Sequence, residues 1–388
     1  MKTATSSWIL GLALLTCAVF LGRAQPTSVM RGVIAHRDLQ YVPNGHERHK
    51  LDIYLPQEAK KSMPLIVWVH GGGWQNGSKE GCPPLRKGYV QRGYAVAAIN
   101  YRLSGHATFP AQIQDCKAAI RWLRANASEY RIDPKRIGVW GSSAGGHLAA
   151  LLGAAGDVEA FDVGADLDQS SRVQAVCDFY GPTDFKVFVT TPRYESHAAS
   201  GSPEAKLIGG AVLENEEKAR RVNPIEYVTR DDPPFLIVHG DDDRTVPLNQ
   251  SGLLYEALKK ARCDVRFHTI RGAGHGRPGF GAPEIENMVR EFFDSRLKSG
   301  RNEAPRAVAS ESSVSDADRK AAMKGRQNRK RGRLSFDQVL SRNDKDEDGR
   351  LSREEFPGGK ALYERMDRNK DGFVTRDKHE RMFGPDPR

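Results

Sequence analysis

Arg136-Ile-Gly-Val-Trp-Gly-Ser-Ser-Ala-Gly-Gly-His-Leu-Ala-Ala-Leu-Leu152 is the stretch whose reading decides the fold. Ile137, Val139 and Trp140 make a short apolar run of strand character that ends at Gly141. From Ala144 to Leu152 the chain reads as a helix of small and aliphatic residues. Between them, Gly141-Ser142-Ser143-Ala144-Gly145 fits G-x-S-x-G with Ser143 at its centre. That spacing predicts a sharp strand-to-helix turn, where small neighbours let the backbone fold tightly and leave the serine Oγ in the open. At the start of the following helix, Ser143 also feels the positive end of the helix dipole, which favours a developing oxyanion.

Working outward, the same alternation recurs. Leu65 to His70 is a continuous apolar run of the kind buried parallel strands show, and it leads into Gly71-Gly72-Gly73-Trp74. Tyr94 to Tyr101 is a further strand. Phe109 to Tyr130 has helical spacing, and Asp133-Pro134 is expected to break it before the Ser143 strand. Val173 to Tyr180, Pro233 to His239 and Val265 to Ile270 read as strands; Gly252 to Ala261 and Pro283 to Lys298 read as helices. Asp38 to Pro56, with Asn44-Gly45 in its middle, reads as a hairpin. Strands alternating with helices predict an α/β fold with a mostly parallel sheet, and polar residues follow the carboxyl ends of its strands, where such sheets bind ligands.

Those endings carry the chemistry. A serine hydroxyl needs a base to take its proton and a carboxylate to hold that base. Of eleven histidines, His275 lies in the glycine-rich loop Gly272-Ala273-Gly274-His275 after a strand, free to present its ring. His70, His147 and His239 are better read as packing or hydrogen-bonding residues. Asp241, Asp242 and Asp243 follow the preceding strand, and spacing alone does not choose among them. His70-Gly71-Gly72-Gly73 is a loop whose backbone amides, from Gly72 and Gly73 together with Ala144, suit an oxyanion hole. The chemistry requires no metal and no cofactor.

The ends of the chain differ from its middle. Met1 to Ala24 reads as a secretory signal, with Lys2, an apolar run from Trp8 to Leu21, and Gly22 and Ala24 at the −3 and −1 positions; an uncleaved anchor is the alternative. No second apolar stretch approaches membrane-spanning length. Cys82, Cys116, Cys177 and Cys263 remain after the signal, without a C-x-x-C pair that would suit zinc, and their disulfide pairing is open. The net charge is +10, and residues 298 to 333 carry eleven Lys/Arg against four Asp/Glu. Residues 299–333 are therefore read as a basic, solvated linker; lacking interleaved aromatics, it does not point to nucleic acid.

Residues 334–388 contain two twelve-residue loops with the spacing of EF-hand calcium sites. The first offers Asp344, Asp346, Asp348, the Arg350 carbonyl, Ser352 and a bidentate Glu355, with Gly349 at the turn. The second offers Asp367, Asn369, Asp371, the Phe373 carbonyl and Thr375, but Lys378 stands where the bidentate carboxylate belongs, so its calcium site is expected to be weaker.

Residues 35 to 297 resemble the α/β-hydrolase esterases of the lipase/esterase type, and most closely the secreted bacterial proteins grouped with feruloyl and acetyl-xylan esterases. The resemblance is carried by His70-Gly71-Gly72-Gly73-Trp74, Asn100-Tyr101-Arg102-Leu103, Gly141 to His147, Tyr180-Gly181-Pro182-Thr183-Asp184, His239 to Pro247 and Gly272 to His275. It implies the α/β-hydrolase fold over residues 25–298. The family's H-G-x-x-D-x-x-V-P acid loop falls on Asp243, which gives a triad of Ser143, Asp243 and His275. The tail resembles bacterial EF-hand pairs; dockerin-like modules share its short repeats, but Glu355 and Lys378 depart from their usual aspartate. The expected protein is a secreted, periplasmic or extracellular serine carboxylesterase acting on ester-linked groups, acetyl or feruloyl groups on polysaccharide among them, with calcium bound in its tail. Two alternatives stand beside it: a serine peptidase or amidase with the same triad, and a calcium-dependent binding or scaffold protein with an inactive hydrolase domain. No sequence feature fixes an oligomeric state.

Overall fold

Alternate residues of one strand feed two separate cores. In the strand from Met63 to Val69, Leu65, Val67 and Val69 pack into one apolar cluster, while Ile66 and Trp68 pack into another. A strand whose side chains alternate between faces can do this only when both faces are covered. That explains the unbroken apolar run.

The computed structural model describes residues 27–58, 61–298, 336, 340, 343–346, 348–356, 363, 366–367, 371–376 and 378. Residues 1–24, read as the signal, and residues 299–333, read as the linker, lie outside them, as does Asn369. The chain divides into two units, residues 1–304 and 305–388.

In the first unit, β1 (Thr27–Met30), β2 (Val33–Gln40), β3 (Lys50–Pro56), β4 (Met63–Val69), β5 (Ala95–Ile99), β6 (Ile132–Ser142), β7 (Ala175–Phe179), β8 (Phe235–Gly240) and β9 (Val265–Ile270) form one sheet in the order β1-β2-β3-β5-β4-β6-β7-β8-β9. The strands β1, β2, β3 and β5 pair antiparallel, and β5 through β9 pair parallel. From β4 the chain goes to β5 on one side and returns to β6 on the other. The gap between β4 and β6 is thus the switch point where open α/β sheets place their ligands.

Helices α1 (Pro83–Arg86) and α8 (Pro283–Phe293) cover one face through Leu85, Ile285, Val289, Phe292 and Phe293. Helices α2 (Ala111–Ala125), α3 (Ala144–Ala154) and α7 (Asn249–Lys260) cover the other through Ile113, Ile120, Leu148, Leu151 and Leu254. Between β7 and β8 lie three short helices, α4 (Phe185–Thr190), α5 (Pro203–Ile208) and α6 (Glu216–Val222). At seven residues or fewer, none gave a readable period in the sequence.

Two expectations need correction. Asp133-Pro134 does not precede the Ser143 strand but lies inside it. The pairing of β4 with β6 jumps from Met63↔Ile132 to Leu65↔Ile137, so the extra residues of β6 bulge outward and the proline costs no ladder hydrogen bond there. The closing helix stops at Phe293 and finishes as a π-helical turn over Asp294–Lys298. Among the described residues, Cys82, Cys116, Cys177 and Cys263 are free thiols, and the first three are buried.

The second unit has its own apolar cluster of Phe336, Leu351, Tyr363, Met366 and Val374. Leu351 and Val374, the eighth residues of the two loops, exchange backbone hydrogen bonds of 3.0 and 2.8 Å. Gly349 and Gly372, the sixth residues, have φ of 78° and 87°, a backbone conformation that other side chains resist. Among the described residues no helix is long and apolar enough to cross a membrane.

Candidate active site

Ser143 sits between the end of β6 and the start of α3 with φ 55° and ψ −124°. Such a conformation costs of order 1–3 kcal/mol and persists only where the surroundings enforce it. Here the Ser143 amide donates to Phe179 O at 2.8 Å and the His147 amide to Ser143 O at 3.0 Å. Helix α3 lies so close to β4 that a Cβ on Gly145 would stand 2.1 Å from Val69 O. Small residues at this turn are a packing requirement.

The structure brings Ser143, His275 and Asp243 together across 132 and 32 residues of chain. Ser143 Oγ lies 2.9 Å from His275 Nε2, and His275 Nδ1 lies 2.7 Å from Asp243 Oδ2. With the proton on Nδ1 donated to Asp243, Nε2 presents its lone pair to the Ser143 hydroxyl, as a general base must. Asp243 is 4% exposed, whereas Asp241 and Asp242 are exposed. Burial alone pushes the Asp243 carboxyl up. Hydrogen bonds from His239 and His275, the charge of His275 and the Val246 amide outweigh it and hold the group well below the usual carboxylate range. Its Oδ1 also accepts from the amides of Thr245 at 2.8 Å and Val246 at 2.9 Å, so both oxygens are fixed.

The other three histidines are packed as expected. His147 bonds Val222 O at 2.7 Å, and His239 bonds Ser251 Oγ at 2.7 Å and Val246 O at 3.0 Å. His70 is stacked on Tyr101, donates from Nδ1 to Gly71 O at 2.7 Å, and accepts from Arg48 Nη2 at 3.1 Å. Burial pushes its pKa down to about 4, so the ring is neutral and locks the start of the glycine loop. Among the described residues, the amides of Gly72, Gly73 and Ala144 donate to no protein group, and all three residues line the cavity that holds Ser143 and His275.

That cavity has a volume of about 390 Å³, the size of a small-molecule site. Part of its wall is formed by residues the sequence did not single out: His197, Pro203 and Glu204, all between β7 and β8. Tyr194, from the same segment, donates its hydroxyl to Asp243 O. A start signal at α5 was readable in principle, since Ser202 caps the helix by accepting from the Ala205 amide at 3.1 Å with Pro203 next to it.

In the second unit, Asp344, Asp346 and Asp348 bring one carboxylate oxygen each within 4.8 Å of one another. Asp344 Oδ1 is buried and, among the described residues, has no hydrogen-bond partner, which is costly for a carboxylate unless a cation completes it. Glu355 is buried, and its oxygens accept from the Lys345 amide at 2.9 Å, the Ser352 amide at 3.0 Å and Ser352 Oγ at 2.7 Å. In the other loop, Lys378 Nζ donates to Asp367 Oδ1 at 2.9 Å, Asp371 Oδ1 at 2.6 Å and Phe373 O at 2.8 Å. These are the first, fifth and seventh positions of the loop, so the ammonium occupies the place a metal would take.

Residues 51–258 match the BD-FAE family. Among curated proteins, the chain is 33% identical over 230 residues to the esterase LipC of Mycobacterium tuberculosis, covering 58% of this chain and 56% of LipC. It therefore spans little more than half the length of that relative. Among solved structures, a truncated carbohydrate esterase from gut microbiota is 34% identical with a TM-score of 0.63, covering 68% of this chain and 96% of that one. A bifunctional GH43-CE protein of Bacteroides eggerthii is 36% identical with a TM-score of 0.61, covering 68% of this chain and 38% of that one. The family match runs from β3 through most of α7 and takes in the serine turn, the glycine loop and Asp243, so the chain belongs to the BD-FAE family of α/β-hydrolase esterases.

Proposed function

We propose that this chain is an exported serine carboxylesterase that removes acyl groups, acetyl or feruloyl, from polysaccharide. The observation that carries the reading is the 2.9 Å contact of Ser143 Oγ with a His275 ring whose other nitrogen is held 2.7 Å from Asp243, at the edge of an open cavity. His275 Nε2 takes the Ser143 proton as Oγ attacks the ester carbonyl. The resulting oxyanion accepts from the amides of Gly72, Gly73 and Ala144, worth roughly 3–4 kcal/mol per donor in comparable sites. Asp243 stabilises the imidazolium, which then protonates the departing alcohol. Water, deprotonated by the same nitrogen, releases the acid from Ser143. The carbohydrate-esterase neighbours support a sugar alcohol as the leaving group.

On this reading Met1–Ala24 is removed on export, and the tail is an EF-hand pair in which the first loop binds calcium through Asp344, Asp346, Asp348, the Arg350 carbonyl, Ser352 and Glu355. The oxygen-only donor set suits a hard cation. Turnover of acetylated xylan, a feruloyl ester, phenyl acetate and a peptide anilide should be compared for the wild type and Ser143→Ala. Ester turnover is expected to fall by at least about 10⁴-fold in Ser143→Ala. Anilide cleavage exceeding ester cleavage would favour the amidase, and full activity in Ser143→Ala would sink the triad.

A further inference from the structure

Part of the cavity wall carries a carboxylate–imidazole pair that the triad chemistry does not use. Glu204, at the start of α5, has a side chain only 4% exposed, and its Oε2 lies 2.9 Å from His197 Nδ1. Burying a carboxylate is expensive unless a partner meets it, and here the partner is a ring that itself lines the cavity. The His197 side chain is 21% exposed and packs on Phe188 with ring centroids 4.6 Å apart. Its orientation is therefore fixed from two sides. Among the described residues Nε2 has no partner, which leaves unused one polar atom of an oriented ring that lines the cavity holding Ser143.

We infer that His197, oriented by Glu204, is a specificity-determining residue whose Nε2 hydrogen-bonds a hydroxyl group of the substrate's sugar. This deepens, and rests on, the esterase reading. The choice of a hydroxyl follows from the ring's chemistry. The hydrogen bond to Glu204, offset in part by burial, raises the His197 pKa. In the protonated ring Nε2 is a donor; in the neutral ring, with Nδ1–H committed to Glu204, it is an acceptor. A hydroxyl pairs with it in both states, whereas an aryl or alkyl group pairs in neither. A site built this way rejects an ester lacking the hydroxyl, because that ester leaves the ring nitrogen desolvated and unpaired. Glu204 acts through His197 and is a positioning residue.

The test uses the full chain and two esters: a monoacetylated methyl xyloside, which carries free hydroxyls, and phenyl acetate, which has none. In His197→Ala the ratio of kcat/KM for the xyloside over that for phenyl acetate is expected to fall roughly 10- to 100-fold, mainly through KM. Glu204→Gln is expected to shift the ratio in the same direction by less. An unchanged ratio overturns the inference, whatever happens to absolute activity. Binding of methyl xyloside to the Ser143→Ala chain, followed by ligand-detected NMR with and without His197→Ala, reads the contact without turnover. If the wild type cleaves neither ester but the xyloside binds in a His197-dependent way, the esterase reading falls and this contact stands; binding that ignores His197, or no binding, removes the contact.

Discussion

Two aspartates flank the serine turn and are driven in opposite directions. Asp243 is buried but meets the two histidines and two amides, and it is held ionised. Asp178, on β7 beside Gly141, is buried as well, but among the described residues it accepts only from the Gly181 amide at 2.9 Å, and its Oδ2 has no partner there. Burial pushes its pKa up to about 7, with the Gly181 amide opposing. The sign of the consequence is fixed by linkage. Between the ordinary carboxylate range near 4 and about pH 7, the folded chain keeps a proton that the unfolded chain has lost, so stability falls as pH rises through that window and levels off above it. A shift of this size corresponds to on the order of 4 kcal/mol. Asp178→Asn, neutral at every pH, is expected to lose most of that decline. Urea midpoints at pH 5 and 8.5 read it, and equal pH dependence in the two proteins would refute the assignment.

At the scale of the element, the two tail loops carry opposite charges at the twelfth position. Glu355 turns its carboxylate to the Lys345 and Ser352 amides, whereas Lys378 brings its own cation to Asp367, Asp371 and the Phe373 carbonyl. A calcium ion would have to displace an ammonium already satisfied by three oxygens. Calorimetric titration of the full chain is expected to give one calcium per chain, none in Glu355→Gln, and two in Lys378→Glu; a second ion in the wild type would refute the internal cation. The spacing of oxygen-bearing side chains in the loops could be read from the sequence, while the direction of the Lys378 side chain is not written in any spacing. The same contrast runs through the first unit. The strands β4, β5 and β8 could be read because two-sided burial leaves unbroken apolar runs, and the serine turn because close packing at Gly145 demands small residues. Residues 185–228, which supply His197 and Glu204, escaped reading. Their helices are too short for a period, and their contacts with the cavity are all made at long range. Asp133-Pro134 misled for a related reason, since a bulge tolerates residues that a regular ladder excludes.

For the whole molecule, the placement of apolar side chains decides which parts depend on one another. The two cores of the first unit draw on residues 33 to 297, and the third core draws on residues 336 to 374. Every residue lining the cavity lies between Gly71 and His275. A chain that ends at Lys298 therefore keeps every side chain of both sheet-packed cores and of the site. It is expected to be soluble and to turn over phenyl acetate with kcat/KM within about twofold of the full chain, because the truncation removes no side chain that packs in either core or lines the site. Calcium should act on the other unit alone, adding about 2.7 kcal/mol to its stability when the free ion is a hundredfold above its dissociation constant. Differential scanning calorimetry of the full chain with calcium and with chelator distinguishes the two units: one transition should move and one should stay. A catalytic transition that shifts with calcium, or an insoluble chain ending at Lys298, would mean that the tail is needed to hold the hydrolase together.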